Sequence, residues 1–187
     1  MSTSPASPSV PRTADARIAC ITSFIRDVPD FPKPGILFKD ITPLIGDGAA
    51  FRVVTDLLAE RIAPLRPEKL VGIESRGFIF GAALAERLGI GLAPVRKPGK
   101  LPWKAVRETY SLEYGTDALE MHEDAVAGLR CLVLDDLLAT GGTAAATARL
   151  VERQGGTVAG FAFVIELGFL HGREKLGTRE VLSLIHY

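Results

Sequence analysis

The residues best suited to chemistry sit in one stretch, "LVLDDLLATGGT", residues 132–143. Two adjacent carboxylates, Asp135 and Asp136, follow three apolar residues, and a turn almost without side chains comes soon after. Neighbouring carboxylates repel, so their pairing asks for a reason. Gly141 and Gly142 can take left-handed backbone angles and leave N–H groups exposed, and Thr140 and Thr143 add hydroxyls. A phosphate fits such a nest at the positive end of a following helix. The aspartates cannot bind phosphate themselves; they suit ribose hydroxyls, or waters on a Mg²⁺ ion that the ligand carries. An ordinary strand-to-helix connection is the alternative, since turns commonly hold these residues. Other phosphate motifs fit poorly. No lysine follows the glycine turn as in a Walker A loop, and "GIGLAP" lacks the third glycine of a dinucleotide fingerprint.

Strands and helices must position this stretch. "KLVGIES" reads as a strand, "RGFIFGAALAERLG" as a helix ended by Gly89, and "IGLAPVRK" as the next strand. That is a βαβ unit and implies a parallel sheet. "RCLVLDD" reads as a buried strand that carries the aspartates to its carboxyl end, where open α/β sheets bind ligands, with the two side chains on opposite faces. "TAAATARLVERQG" is a helix, and "TVAGFAFVIEL" and "EVLSLIHY" are further strands. The sum is an α/β domain with about four or five parallel strands. Upstream, residues 14–28 and 50–63 have helical periodicity, while prolines 29, 32, 34 and 43 forbid a long regular element between them. Residues 98–124 are charged and aromatic; they read as a mobile loop and then an antiparallel excursion through "TYSLEY" and "ALEMH", turning at Gly115.

The chain has 187 residues, 47% of them hydrophobic, which suits one globular domain with a sizeable core. Lysine plus arginine and aspartate plus glutamate both number 22, and this balance gives no support to a nucleic-acid partner. Cys20 and Cys131 lie in apolar surroundings and read as buried thiols of a reducing compartment. Residues 1–13 lack an apolar signal core and read as a disordered tail. No apolar run is long enough to span a membrane, so the expected location is cytoplasmic. His122, His171 and His186 lack zinc-like spacing. A serine hydrolase is disfavoured because Ser75 has bulky Glu74 before it, and Gly72 lies three residues upstream instead of the two that a nucleophile elbow needs.

"LVLDDLLATGGT" resembles the phosphoribosyl-diphosphate signature of the type I phosphoribosyltransferase family. "FPKPGILFKDITPL", "GIESRGFIFG", "RKPGKLP", "SLEYG" and "GREKL" follow the family's adenine-using branch in the same order, from about Ile18 to Tyr187. The resemblance implies a type I phosphoribosyltransferase-like fold: residues 14–187 as a single domain, with a central mostly parallel sheet flanked by helices, a small hood segment at about 28–45 and a flexible lid at about 98–114. It implies transfer of the phosphoribosyl group from 5-phosphoribosyl 1-diphosphate to adenine, giving AMP and diphosphate, by a homodimer, with Mg²⁺ arriving on the substrate phosphates and no direct protein ligand to the metal. A 6-oxopurine substrate, or a nonenzymatic regulator on the same fold, is the alternative.

By the same resemblance Ala139, Thr140, Gly141, Gly142 and Thr143 hold the 5′-phosphate, and Asp135 and Asp136 hold the ribose hydroxyls. Glu74, Ser75 and Arg76 form the diphosphate loop, often with a non-proline cis peptide at the Glu74–Ser75 position, and Lys97 and Lys100 add contacts. The family commonly has aspartate where this chain has Glu74. Phe38 stacks on the base, and the backbone of Leu37 and Lys39 reads its edge. Glu113 is placed near N7 of the base, flanked by Tyr110 and Tyr114. Catalytic roles fall to Glu113, Arg76, Asp135 and Asp136. "FPKPGILFKD" and "SRGFIFG" could supply the dimer interface.

Overall fold

The structure, a computed structural model, describes residues 13–111 and 115–187, and of Ser111 the backbone only. Of the expected tail only Thr13 is among them. Its hydroxyl accepts from the Ala16 N–H at 3.3 Å and caps helix α1 (Ala14–Thr22). The chain divides into two compact units, one ending at Leu57 and one running from Leu58 to Tyr187.

In the first unit the helical stripe stops at Thr22, short of the expected 28. The Thr22 and Ser23 hydroxyls bond back to the Ile18 and Cys20 carbonyls, at 2.8 and 2.7 Å, at that end. Strand β1 (Arg26–Pro29) then pairs antiparallel with β2 (Leu37–Asp40). Register puts Arg26 opposite Asp40 and Asp27 opposite Lys39, and each pair closes an ion pair at 2.6 Å. Between the strands the Phe31–Pro32 peptide is cis, and Asp30 accepts from the Gly35 N–H. Helices α2 (Thr42–Gly46) and α3 (Gly48–Ile62) follow, and the unit boundary falls within α3. Thr42 hydrogen bonds, then Arg26, hold the Asp40 carboxyl down to about 2.

The second unit continues with β3 (Lys69–Ile73), α4 (Arg76–Leu88), β4 (Gly91–Val95), β5 (Ala105–Ser111), β6 (Thr116–His122), β7 (Arg130–Leu138), α5 (Gly142–Arg153), β8 (Thr157–Glu166) and β9 (Val181–His186). Among the described residues five strands form one parallel sheet, ordered β4-β3-β7-β8-β9. β5 and β6 form the expected antiparallel pair, with Gly115 between them at φ +102°.

Strand alternation assigns the two faces of the sheet. Val71, Ile73, Val95, Val133, Phe161 and Phe163 share a core with α5 and with Tyr110, Leu119 and Met121 of the hairpin. Gly72, Leu92 and Leu134 lie on the other face, where the glycines of α4 come close: a Cβ on Gly81 would stand 3.0 Å from Leu92. Phe80, Phe161 and Phe163 are fully buried, each worth about 1.5–3 kcal/mol. Cys131 is buried, which pushes its thiol up to about 11, whereas Cys20 is only half-buried. Among the described residues no helix is long and apolar enough to cross a membrane.

Candidate active site

β7 outruns its neighbour. It pairs with β3 only as far as Leu134, but with β8 as far as Leu138. The aspartates therefore lie within the strand, two residues short of its end, on an edge that β3 leaves open. Asp136 is buried and accepts from Arg76 Nε at 2.5 Å. Asp135 takes the Asp136 N–H at 2.9 Å. Both line a cleft with Glu74, Ser75 and Arg76, and Asp135 also lines a second cleft along Ala139–Ala144. Burial first, and then the Asp136 carboxylate, push Asp135 well above the ordinary aspartate range. The start of α4 comes in against this edge, where a Cβ on Gly77 would stand 2.9 Å from Asp135 Oδ1 and from the Leu134 carbonyl oxygen.

The glycine turn opens α5 with Gly141 at φ +76° as N-cap and no side-chain cap bond. The first-turn amides have no partner within the helix, and no capping side chain takes them, so they suit an anion. The turn is braced from below. A Cβ on Gly172 would lie 2.2 Å from the Ala139 carbonyl oxygen, and one on Gly141 would lie 2.2 Å from the Gly172 carbonyl oxygen. Gly172 begins the short 3-10 helix Gly172–Leu176. Arg173 holds that helix in place through a two-pronged pair with buried Glu166, at 2.6 and 2.7 Å. Burial alone would raise Glu166, but the Arg173 bonds hold it below its usual value.

The cations come from the first residue of α4 and from the turn after β4. The Glu74–Ser75 peptide is cis, as the resemblance implied. Glu74 accepts from Lys100, from the Lys97 N–H at 3.0 Å and from Arg96 at 3.2 Å, tying the turns after β3 and β4 together. These bonds outweigh burial and keep its carboxyl low. Ser75 is the N-cap of α4 and makes no side-chain cap bond, so that helix end is open as well. The Lys97 ammonium pairs with Asp117 of β6. Asp117 also accepts from the Tyr110 hydroxyl at 3.3 Å, and Tyr110 meets the Thr143 hydroxyl at 3.2 Å.

A family profile described as "Phosphoribosyl transferase domain" matches residues 45–180. An adenine phosphoribosyltransferase of Desulfitobacterium hafniense is 59% identical over 165 residues, covering 88% of this chain and 95% of its own. This chain belongs to the adenine phosphoribosyltransferases. The adenine phosphoribosyltransferase of Thermoanaerobacter pseudethanolicus superposes with a TM-score of 0.89 at 50% identity, over 91% of this chain and 99% of that one. That of Saccharomyces cerevisiae, solved with an imino-altritol bisphosphate and adenine, gives 0.85 at 39% identity, over 91% and 99%.

Against the expectations for an adenine phosphoribosyltransferase, the structure gathers Glu74, Ser75, Arg76, Lys97, Lys100, Tyr110, Asp135, Asp136 and residues 139–143 in the second unit. Leu37, Phe38 and Lys39 belong to the first unit. There β2 keeps one edge unpaired with any other strand among the described residues. Phe38 meets Phe31 edge-on, with ring centroids 5.1 Å apart, and Leu37 is exposed. Glu113 and Tyr114 lie outside the described residues. Within the expected lid, 105–111 is regular strand, and Glu108 is held by Arg149 and Arg153 of α5. Sequence reasoning left Gly172, Arg173 and Asp117 without roles. "GREKL" had drawn notice only as part of the resemblance, and nothing local links Asp117 to residue 143.

Proposed function

We infer that this chain joins adenine to 5-phosphoribosyl 1-diphosphate. N9 of adenine bonds to C1 of the ribosyl group as the C1–diphosphate bond breaks. The proton of N9 leaves, and AMP and diphosphate are the products. The observation that carries this reading is an uncapped, glycine-braced helix start a short turn after two carboxylates, one of which pairs with Arg76 in a cleft that both carboxylates line.

Amides and hydroxyls of 139–143 take the 5′-phosphate. Asp135 and Asp136 accept from ribose hydroxyls. Arg76, Lys97, Lys100 and the open start of α4 meet the diphosphate and stabilise the charge that it gains on leaving. Phe38 stacks on adenine while the backbone at Leu37 and Lys39 reads its edge. Glu113, by resemblance, handles the proton through N7, with Tyr110 and Tyr114 nearby, and the 98–114 segment covers the reaction. Among the described residues no three His, Cys, Asp or Glu side chains converge on a point that could cage an ion. The Asp135–Asp136 pair instead fits an ion that brings its own phosphate and water ligands. Mg²⁺ bound in that way would neutralise charge on the departing diphosphate. Exposed Phe31, Ile36, Leu37 and Ile79 fall within the two segments expected at a homodimer interface and favour one. A cytoplasmic setting fits the two free thiols.

Turnover with four purines tests the reading. Adenine presents an amino donor at C6 and the 6-oxopurines an acceptor, so a site built for one leaves the other with unmet groups at about 1–3 kcal/mol each. The kcat/KM values should favour adenine over hypoxanthine, guanine and xanthine. A preference for any of those three would overturn the substrate assignment.

A further inference from the structure

We propose that Asp117 is a positioning residue for phosphoribosyl-diphosphate binding, coupling the Lys97 ammonium to the Thr143 hydroxyl through Tyr110. The inference rests on the reading above, in which Lys97 meets the diphosphate and the 139–143 turn meets the 5′-phosphate.

Asp117 and Tyr110 stand directly opposite each other in the β5–β6 register, so their side chains share a face. The Asp117 carboxylate is fully engaged. Its Oδ1 accepts from the Ala118 N–H at 2.8 Å, while Oδ2 accepts from both Lys97 and the Tyr110 hydroxyl at 3.3 Å. Tyr110 is 6% exposed, its ring packed in the core, and its oxygen lies 3.2 Å from Thr143 Oγ1. With the phenol proton directed at Asp117, the phenol oxygen accepts from Thr143. Cross-strand pairing alone would tie Asp117 only to β5. Here one carboxylate instead organises groups from the turn after β4, from β5 and from the first turn of α5. Lys97 is engaged by both Asp117 and the Tyr110 hydroxyl, which leaves one of its three protons for a phosphate oxygen, and the Thr143 amide, in the first turn of its helix, remains for the 5′-phosphate. The two ends of one substrate are thus held at a fixed separation before it binds, which lowers the ordering cost of binding.

Three variants of the full chain test this. Asp117→Asn keeps an acceptor for Tyr110 but removes the charge that holds Lys97. Binding of inorganic diphosphate should weaken about tenfold, on the scale of a charge-assisted hydrogen bond, while AMP binds as to wild type. Tyr110→Phe keeps the packed ring and the Lys97–Asp117 pair but frees Thr143; AMP should weaken several-fold, and diphosphate by less than in Asp117→Asn. Asp117→Ala should raise KM for phosphoribosyl diphosphate tenfold or more and leave KM for adenine within about twofold. Should Ala unfold, the near-isosteric Asn and Phe variants carry the test. Folded variants with wild-type affinity for both ligands, or an equal loss of both ligands in Asn and Phe, overturn the coupling. A wild-type chain that does not consume phosphoribosyl diphosphate with adenine would refute the function reading instead.

Discussion

Gly172→Ala tests whether the phosphate turn is shaped from below. The new Cβ would stand 2.2 Å from the Ala139 carbonyl oxygen, whereas real Cβ atoms essentially never approach within 3.0 Å. The two backbones must therefore part by about 0.8 Å. The 3-10 helix has little room to retreat, since Arg173 is clamped to Glu166 and Leu176 is fully buried. The movement falls on residues 139–141, the start of the proposed 5′-phosphate site. Overpacking of this kind costs about 1–3 kcal/mol, and in a chain of this size that lowers Tm by about 2–12 °C. A displacement near 1 Å costs about 10²-fold in rate. Steady-state kcat/KM for phosphoribosyl diphosphate and a thermal melt read both effects. Gly46→Ala, whose Cβ would meet nothing within 4 Å, is the control and should match wild type. Wild-type kcat/KM in Gly172→Ala would refute the bracing argument, whatever the melt shows.

Asp135 should show opposed effects on stability and activity. Its folded pKa is raised, so its favourable contribution is complete below the ordinary aspartate value of 3.8 and is lost as pH rises through the folded value. Asp135→Asn is always neutral; it should melt higher than wild type at pH 7 and lose that advantage near about pH 3, and a lower melt at pH 7 would contradict the shift. Paired with Asp136→Asn, it should leave a folded chain with severely reduced turnover, and near-wild-type rates in that double variant would remove both aspartates from the reaction. Glu113→Leu and Glu113→Gln should both lose about 10²- to 10⁴-fold in single-turnover rate if the carboxylate moves a proton. If Gln retains most of the rate, Glu113 orients the base instead, and a large loss of phosphoribosyl-diphosphate affinity would place it on the other side of the site.

What the sequence determined by itself is what local pattern encodes. Apolar runs such as "KLVGI" and "RCLVL", alternating with helical stripes, dictate a parallel α/β sheet, because such strands must be covered on both faces. "DDLLATGGT" marks the end of one strand as the expected phosphate site, because only glycines and small residues leave amides bare beside carboxylates. The hairpin turning at Gly115 was legible from its residue types, but the helix end at Thr22 was not, because helical periodicity continues past it. Tertiary structure alone decided how far β7 outruns β3, and hence that Asp136 reaches Arg76 across sixty positions of chain. It alone set Gly172 beneath Ala139, and Asp117 between Lys97 and Tyr110. These contacts join separate strands and turns, and their distances depend on sheet order and register, which no window of neighbouring residues contains.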